Sequence, residues 1–556
     1  MNGSGYEVQG PLGLGVSPTG AFIPAHVMGR SRMAPVLSSV LSWSKGVVEG
    51  SSLRRSYKEY GMSATRNYLA LDLGAESGRA ILGRFDGERL AISELHRFPN
   101  GPVRLNDGLH WDVLRLWQEI KNGLALAGRG TEGGGHGPLD SVGLDAWGVD
   151  FALLDRRGSL VANPFHYRDG RTDGMLDVAF GRVPRVQIFE QTGIQFMQIN
   201  TLFQLLSMVV NDSPALQIAA TFLTMPDLFN YWLTGRAVCE FSNTTTTQCY
   251  DPRRRTWATS LLAALDIPRH IFGEIVPPGA LLGPLAPAVA GELGASGLQV
   301  VAPACHDTGS AVAAVPARGE DFAWISSGTW SVMGTLSPEP VIDDRSLLYN
   351  FTNEGAAGGA FRFSKNIIGL WLVQECRRTW AGQGEELSYA ALTEMAARAP
   401  AFRSVIDPDA GDFLKPGDMP SRIQAFCRRT GQPVPEDKGA IVRCALEGLA
   451  LKYRWVLERM EEITGRRFSV LHIVGGGTQN RLLSQFAADA TGRPVVTGPI
   501  EATATGNILL QALALGHLGS LDEVRAVVRN SFEVETFEPG NRAGWDEAYE
   551  RLQGLS

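Results

Sequence analysis

No Gly-Lys dipeptide occurs anywhere in the 556 residues. That absence alone excludes a P-loop, which needs a lysine after its second glycine to reach the phosphates. The dinucleotide fingerprint G-x-G-x-x-G, opening a helix after a strand, is also missing where it would be needed. Cysteine is scarce: six residues, no Cys-x-x-Cys pair and no His/Cys cluster with zinc spacing, so a structural metal is not expected. Scattered thiols in a long chain read as reduced and buried in a cytosol. Apolar runs of about 20 residues, the length that spans a bilayer, are lacking. The nearest, IVPPGALLGPLAPAVAG at 275–291, is broken by four prolines. A basic excess is lacking too: 51 Lys and Arg stand against 58 Asp and Glu, a net charge of −7. That balance gives no reason to expect nucleic acid or an anionic membrane as partner, and it suits a cytoplasmic protein.

What is present is a chain of 44% hydrophobic content, enough for more than one core. Residues 1–66 are set apart by Gly, Ser and Pro and by little periodicity. They are assigned as a disordered or non-native extension, with Met62 preferred as the true start. From Tyr68 the pattern turns β-like: YLALDLG, RAILGRF and LAISELHRF, the last two joined through an Asp-Gly hairpin signal. HWDVLRLWQEIKNGLALAG (110–128) has helical spacing with Asp112 near its start. GRGTEGGGHGP (128–138) reads as a loop, and LDSVGLDAWGVDFALLD (139–155) as strand, turn and strand. FAWISSGTWSVMGTL (322–336) repeats the strand–turn–strand device about 250 residues after YLALDLGAESGRAI, a weak internal repeat that suggests two related lobes. The lobes are placed at 67–317 and 318–540, joined near AVPARGED, with a C-terminal helix or tail at 541–556. Strand pairs mixed with helices make the fold class α/β.

Three turns share a composition: DLGAESGR, SSGTWS and VGGGTQN each put glycine with hydroxyl or carboxylate groups at the end of an apolar strand. Taken alone, the first is an ordinary hairpin. Taken together, they suit a phosphate, because glycine lets it approach the backbone, whose N–H groups can form a nest. The Thr329 hydroxyl can donate to a phosphate oxygen, and Asp72 can hold a hydrated Mg²⁺. In APACHDTGSAVAAVP (302–316), Asp307 stands between an apolar strand and a small-residue segment. It reads either as a helix N-cap or as a general base, with His306 bonding a substrate hydroxyl. A Cys305–His306 nucleophile pair is disfavoured, since adjacent residues on a strand point to opposite faces. Trp330 and Trp371 read as core packing, and Trp147 is exempted as a candidate to stack on a ligand. Of Asp145 and Asp150, at most one is expected to reach a ligand. Cys427 and Cys444, 17 residues apart, are expected as free thiols that neighbour in space.

These blocks, with YRDGRTDG, TGIQFMQINTLFQL, MPDLFNYWLTG, TNEGAAGGAFRFSKNIIGLW and GPIEATATGN, make the chain from about Tyr68 to Phe537 resemble the FGGY carbohydrate kinases. The resemblance implies two RNase H-like lobes of the actin and sugar-kinase type, with ATP and sugar in the cleft between them. By position it places Ala75, Glu76, Ser77, Gly78, Arg79, Thr329, Gln374 and Gly476 on ATP, and Gly148, His306, Asp307, Thr308 and Asn366 on the sugar. Asp307 would be the base, and Mg²⁺ would sit near Asp72. The narrower blocks DAWGVDF, TGIQF and NEG with KNI and GLW point to L-rhamnulose, phosphorylated at its 1-hydroxyl. Fuculose, xylulose or glycerol kinases are the nearer alternatives, and a non-phosphorylating actin-like ATPase the more remote one. The sequence departs from the family at Glu76, where Ser or Thr is general. The assembly is left open between monomer and homodimer.

Overall fold

The computed structural model describes residues 65–106, 108–129, 137–540 and 542–555. The N-terminal extension and most of the glycine-rich loop therefore lie outside the described residues. Everything described belongs to one compact unit, built on two large sheets.

The first sheet holds β1 (Arg66–Leu73), β2 (Ser77–Phe85), β3 (Leu90–Pro99), β4 (Ser141–Ala146), β5 (Ala280–Pro284) and β6 (Gln299–Ala302), in the order β5-β6-β4-β1-β2-β3. The second holds β7 (Phe322–Ser327), β8 (Trp330–Ser337), β9 (Thr352–Gly355), β10 (Phe361–Ile368), β11 (Val470–Val474), β12 (Val495–Thr497) and β13 (Glu535–Phe537), in the order β9-β10-β8-β7-β11-β12-β13. Each has the same heart. Two antiparallel steps lead out from a central strand on one side (β1-β2-β3, β7-β8-β10), and two parallel steps on the other (β1-β4-β6, β7-β11-β12). The repeat that the two glycine turns suggest is thus carried by the topology.

The central strand β1 shows why its sequence is a strand. Leu69, Leu71 and Leu73 enter one core and Tyr68 and Ala70 another, a period of two on a strand covered on both faces. The Asp-Gly signal forms the β2–β3 turn: the Asp86 side chain accepts from the Glu88 and Arg89 N–H groups, and Gly87 takes φ 102. Asp112 accepts from Arg115 N (3.2 Å) ahead of the helix Val113–Arg129. The stretch 139–155 departs from a simple hairpin. Phe151–Leu154 leaves the sheet after β4 and pairs with Thr221–Thr224.

The two halves are joined by crossing helices, Asp307–Ala313 and Ala502–Ala514. Ala502–Ala514 sends polar side chains into the first sheet, with Gln511 Nε2 donating to Leu69 O (3.0 Å) and Asn507 Nδ2 to Asp145 (2.6 Å). The terminal helix Ala543–Gln553 buries Trp545, Tyr549 and Leu552 in the core of the second sheet. All six cysteines are free and buried, and the Cys427 and Cys444 thiols are near enough to perturb each other's ionisation. Among the described residues no helix is long and apolar enough to cross a membrane.

Candidate active site between the two sheets

The turns that follow β1, β4, β6, β7 and β11 line one cavity of about 990 Å³. Ligands of open α/β sheets bind outside the carboxyl ends of the strands, and here both sheets present those ends to one space. From the sequence-derived set, Ala75, Glu76, Ser77, Arg79, Gly148, His306, Asp307, Thr308, Thr329, Asn366, Gln374 and Gly476 all line it. Gly78 and Asp72 do not. Gly78 is glycine for packing: a Cβ there would lie 2.2 Å from the Phe98 ring.

The phosphate-type turns are built alike. In the first, Asn100 ties down two tip carbonyls, its N–H donating to Glu76 O (2.9 Å) and its Nδ2 to Gly74 O (2.8 Å). In the second, Gly369 N and Trp371 N engage Thr329 O, and Leu370 N engages Gly328 O. The triple glycine divides its labour. Gly475 (φ 90) and Gly477 are pressed against Ser327, with a Cβ on Gly477 falling 2.0 Å from the Ser327 hydroxyl. Gly476 has nothing within 4 Å, so its missing side chain leaves open space in the cavity wall. Glu76, the unexpected residue of the first turn, faces a cation: Arg378 Nη2 lies 3.7 Å away, while its Nη1 pairs with Glu375. Gln374 presents a buried Oε1 with no partner among the described residues.

Asp72 is buried behind the first turn. One oxygen accepts from Arg79 Nη2 (2.8 Å), and Arg79 reaches across to Glu501 at the start of the helix Ala502–Ala514. Burial raises the Asp72 carboxyl to about 6 against the pull of Arg79, and the charges of Asp307 and Glu501 add to the rise. Asp145, next to it on β4, is also pushed well up by burial and by Asp72, and its Oδ1 has no hydrogen-bond partner among the described residues. No cluster of three His, Cys, Asp or Glu residues suited to a metal occurs among the described residues. Mg²⁺ asks for less: it keeps several waters and takes one or two carboxylates plus substrate phosphates. Asp72 and Asp145 supply hard oxygen donors of that kind from just behind the cavity wall, where both are buried and Arg79 holds one oxygen of Asp72.

Asp307 is the first residue of its helix and not its N-cap, which is His306. Its Oδ1 accepts from Thr308 N and from Thr308 Oγ1 (3.2 Å), while the side chain keeps 30% exposure toward the cavity. His306 Nε2 lies 3.4 Å from that same Oδ1. The Cys305 thiol is wholly buried, with burial raising its pKa, which removes it as a nucleophile. Asn366 is bound to Gln195 of the other half through Asn366 N (2.8 Å) and Nδ2 (3.2 Å).

Neither Asp145 nor Asp150 lines the cavity. Asp150 sits under the Trp147 wall, accepting from Trp111 Nε1 (2.6 Å), Trp147 Nε1 (3.0 Å), Gln204 Nε2 (2.9 Å) and Tyr167 N (3.2 Å). Burial pushes its carboxyl up to about 6 despite those donors. Trp147 and Tyr167 face the cavity from this stack and Trp330 from the opposite hairpin, whereas Trp371 is core. Gly148 is pressed on Thr246, and Val149 beside it takes φ 66, a costly conformation for a β-branched residue. Thr246 Oγ1 accepts its N–H (3.0 Å), and Thr201 and Gln204 donate to its carbonyl. Sequence reasoning singled out none of Val149, Tyr167, Gln195, Thr246 or Glu501. Val149, Tyr167, Gln195 and Glu501 nevertheless lie in the blocks DAWGVDF, YRDGRTDG, TGIQF and GPIEATATGN that carry the resemblance, and Thr246 lies in none of them.

Sequence models of the FGGY family of carbohydrate kinases match residues 67–314 (N-terminal domain) and 323–515 (C-terminal domain). The chain belongs to the FGGY family of carbohydrate kinases. It is 43% identical to the rhamnulokinase of Bacteroides thetaiotaomicron, over 87% of this chain and 98% of that one. It is 38% identical to the rhamnulokinase of Oceanobacillus iheyensis, over 84% and 97%. A ligand-bound xylulose kinase from Lactobacillus acidophilus superposes with a TM-score of 0.72 at 16% identity, covering 88% of this chain and 96% of that one. Plasmodium falciparum glycerol kinase with ADP gives 0.69 at 16%, covering 88% and 98%. At these identities the structural likeness establishes the fold: the two-domain α/β architecture of sugar kinases.

Proposed function

We propose that this chain transfers the γ-phosphoryl group of ATP to the 1-hydroxyl of L-rhamnulose, giving L-rhamnulose 1-phosphate and ADP, in L-rhamnose breakdown in the cytoplasm. The observation that carries the reading is one cavity in which glycine turns from two similar sheets meet an exposed carboxylate, Asp307. The likeness to rhamnulokinases over most of the chain selects the sugar.

Phosphoryl transfer asks chiefly for alignment and charge stabilisation. The turns 74–77, 327–330 and 475–477 take the nucleotide phosphates, with Gly476 giving the backbone its closest approach. Trp147, Gly148, Asn366 and the 306–308 segment hold the sugar. Asp307 accepts the proton of the 1-hydroxyl. That oxygen then bonds to the γ-phosphorus as the bond to the β–γ bridging oxygen breaks, and the electron pair leaves with ADP. Asp72 and Asp145 would hold Mg²⁺, which neutralises phosphate charge when bound. Arg79 and Glu501 span the phosphate end and exclude water.

A coupled assay of ADP release across L-rhamnulose, fuculose, xylulose and glycerol tests the reading. The highest kcat/KM is expected on L-rhamnulose. Faster turnover of fuculose would reassign the sugar, and sugar-independent hydrolysis would remove kinase function.

A further inference from the structure

Arg362 on β10 is wholly buried. Its Nε donates to Gly355 O (2.9 Å), its Nη2 lies 3.1 Å from Glu354 Oε2, and its Nη1 has no partner among the described residues. A buried guanidinium with an unpaired donor is a poor stabilising device, since desolvation offsets what the pair contributes. What Arg362 does beyond packing is donate from Nη2 to His306 Nδ1, 2.8 Å away. A guanidinium has no lone pair to offer, so Nδ1 must be the acceptor. Glu354 Oε2 competes for a protonated Nδ1 at 3.3 Å, but the shorter contact is to the permanent donor. The ring proton therefore belongs on Nε2, which lies 3.4 Å from Asp307 Oδ1.

The rest of His306 is held separately. Its N–H donates to Ser242 Oγ (3.0 Å), whose hydroxyl donates to Glu240 Oε2 (2.6 Å), and that oxygen also accepts Cys305 N (3.0 Å). With the backbone fixed, ring orientation is the remaining freedom. Glu354 Oε2 accepts from Arg362 Nη2, and the guanidinium charge works against the rise that burial gives the carboxyl. Glu354 thus stays a carboxylate that anchors the guanidinium.

We propose that Arg362, anchored by Glu354, is a positioning residue for the transfer: it fixes His306 with its proton on Nε2, aimed at Asp307 Oδ1. Together with Thr308 this occupies Oδ1 and leaves Oδ2 to take the proton of the acceptor hydroxyl. The second sheet thereby orients a base carried by the first. This rests on Asp307 being the base of the proposed reaction.

Ring-nitrogen spectra of the full ¹⁵N-labelled chain test it, the His306 signals being assigned by their loss in His306→Gln. The expected wild-type pattern is a bare Nδ1 and a protonated Nε2, replaced by mixed tautomers in Arg362→Met. In that variant kcat should fall about 10²-fold, as for a misplaced catalytic group, with both KM values within about threefold. Arg362→Lys should recover part of kcat. A wild-type spectrum with Nδ1 protonated overturns the proposal, as does a folded Arg362→Met with wild-type kcat. If Arg362→Met fails to fold, the wild-type spectrum decides by itself. A wild type inactive on every sugar would defeat the functional reading while leaving the tautomer measurement in the same sample intact.

Discussion

Gly506→Ala sets two physical effects against each other. Gly506 lies in the middle of the helix Ala502–Ala514, where alanine should favour the helix by about 1 kcal/mol. Tertiary packing says the opposite. A Cβ at this position would lie 1.8 Å from the Ser310 carbonyl oxygen, where the crossing helix passes. Carbon–oxygen contacts settle near about 3.3 Å, so the two backbones would have to separate by about 1.5 Å. The obstacle is backbone, not the end of a flexible side chain. Overpacking of this kind costs about 1–3 kcal/mol, and more where no rotamer can yield. After the helix-propensity gain, a net loss of up to about 2 kcal/mol remains, lowering Tm by roughly 1 °C per kcal/mol in a unit of this size. Activity should suffer more. Ser310 lies three residues after Asp307 on a helix of seven residues, so the shift reaches the base. Misplacement by about 1 Å costs roughly 10² in kcat. Calorimetry and the coupled assay measure both. A variant as stable as wild type with kcat unchanged would refute the close crossing and its link to Asp307.

Asp307→Asn should lose about 10²–10⁴ in kcat with KM for ATP nearly unchanged, and near-normal turnover would reduce Asp307 to a helix-end residue. Gly476→Ala should melt within about 1 °C of wild type yet raise KM for ATP, whereas Gly477→Ala should melt well below it because of Ser327. Equal melting of the two would contradict the division of labour in the turn. Asp72, with its folded pKa raised to about 6 from about 3.9 unfolded, contributes stability that is present below pH 4 and lost as pH rises through 6. Urea melts should therefore show wild type gaining about 1 kcal/mol on Asp72→Asn between pH 7.5 and pH 5, and a gap independent of pH would count against the shift. Glu76→Ser should change stability by under about 0.5 kcal/mol, since the Arg378 pair is half-exposed. It should also lower KM for ATP by removing a like charge from the phosphate turn, and a raised KM would show that Glu76 serves the nucleotide directly.

The sequence by itself determined what is local. Alternation in YLALDL, the Asp-Gly turn and the Asp112 start are each fixed by residues within a few positions, and all three appear in the fold. The absence of Gly-Lys closed the helix-entry route for phosphate, and the repeated glycine turns pointed to the strand-to-strand one. Composition could not tell which glycines serve a ligand, because that depends on what lies opposite. Gly78 answers to Phe98, Gly148 to Thr246, Gly477 to Ser327 and Gly506 to Ser310, each from a distant segment, whereas Gly476 faces the open space of the cavity. The same holds for charge. Glu76 reads as a misfit along the chain and meets Arg378, about 300 residues later, only in the folded molecule. Asp307 is visible as a carboxylate after a strand. The groups that hold its neighbour His306, namely Ser242, Glu354 and Arg362, come from distant segments, so only the folded molecule brings them together.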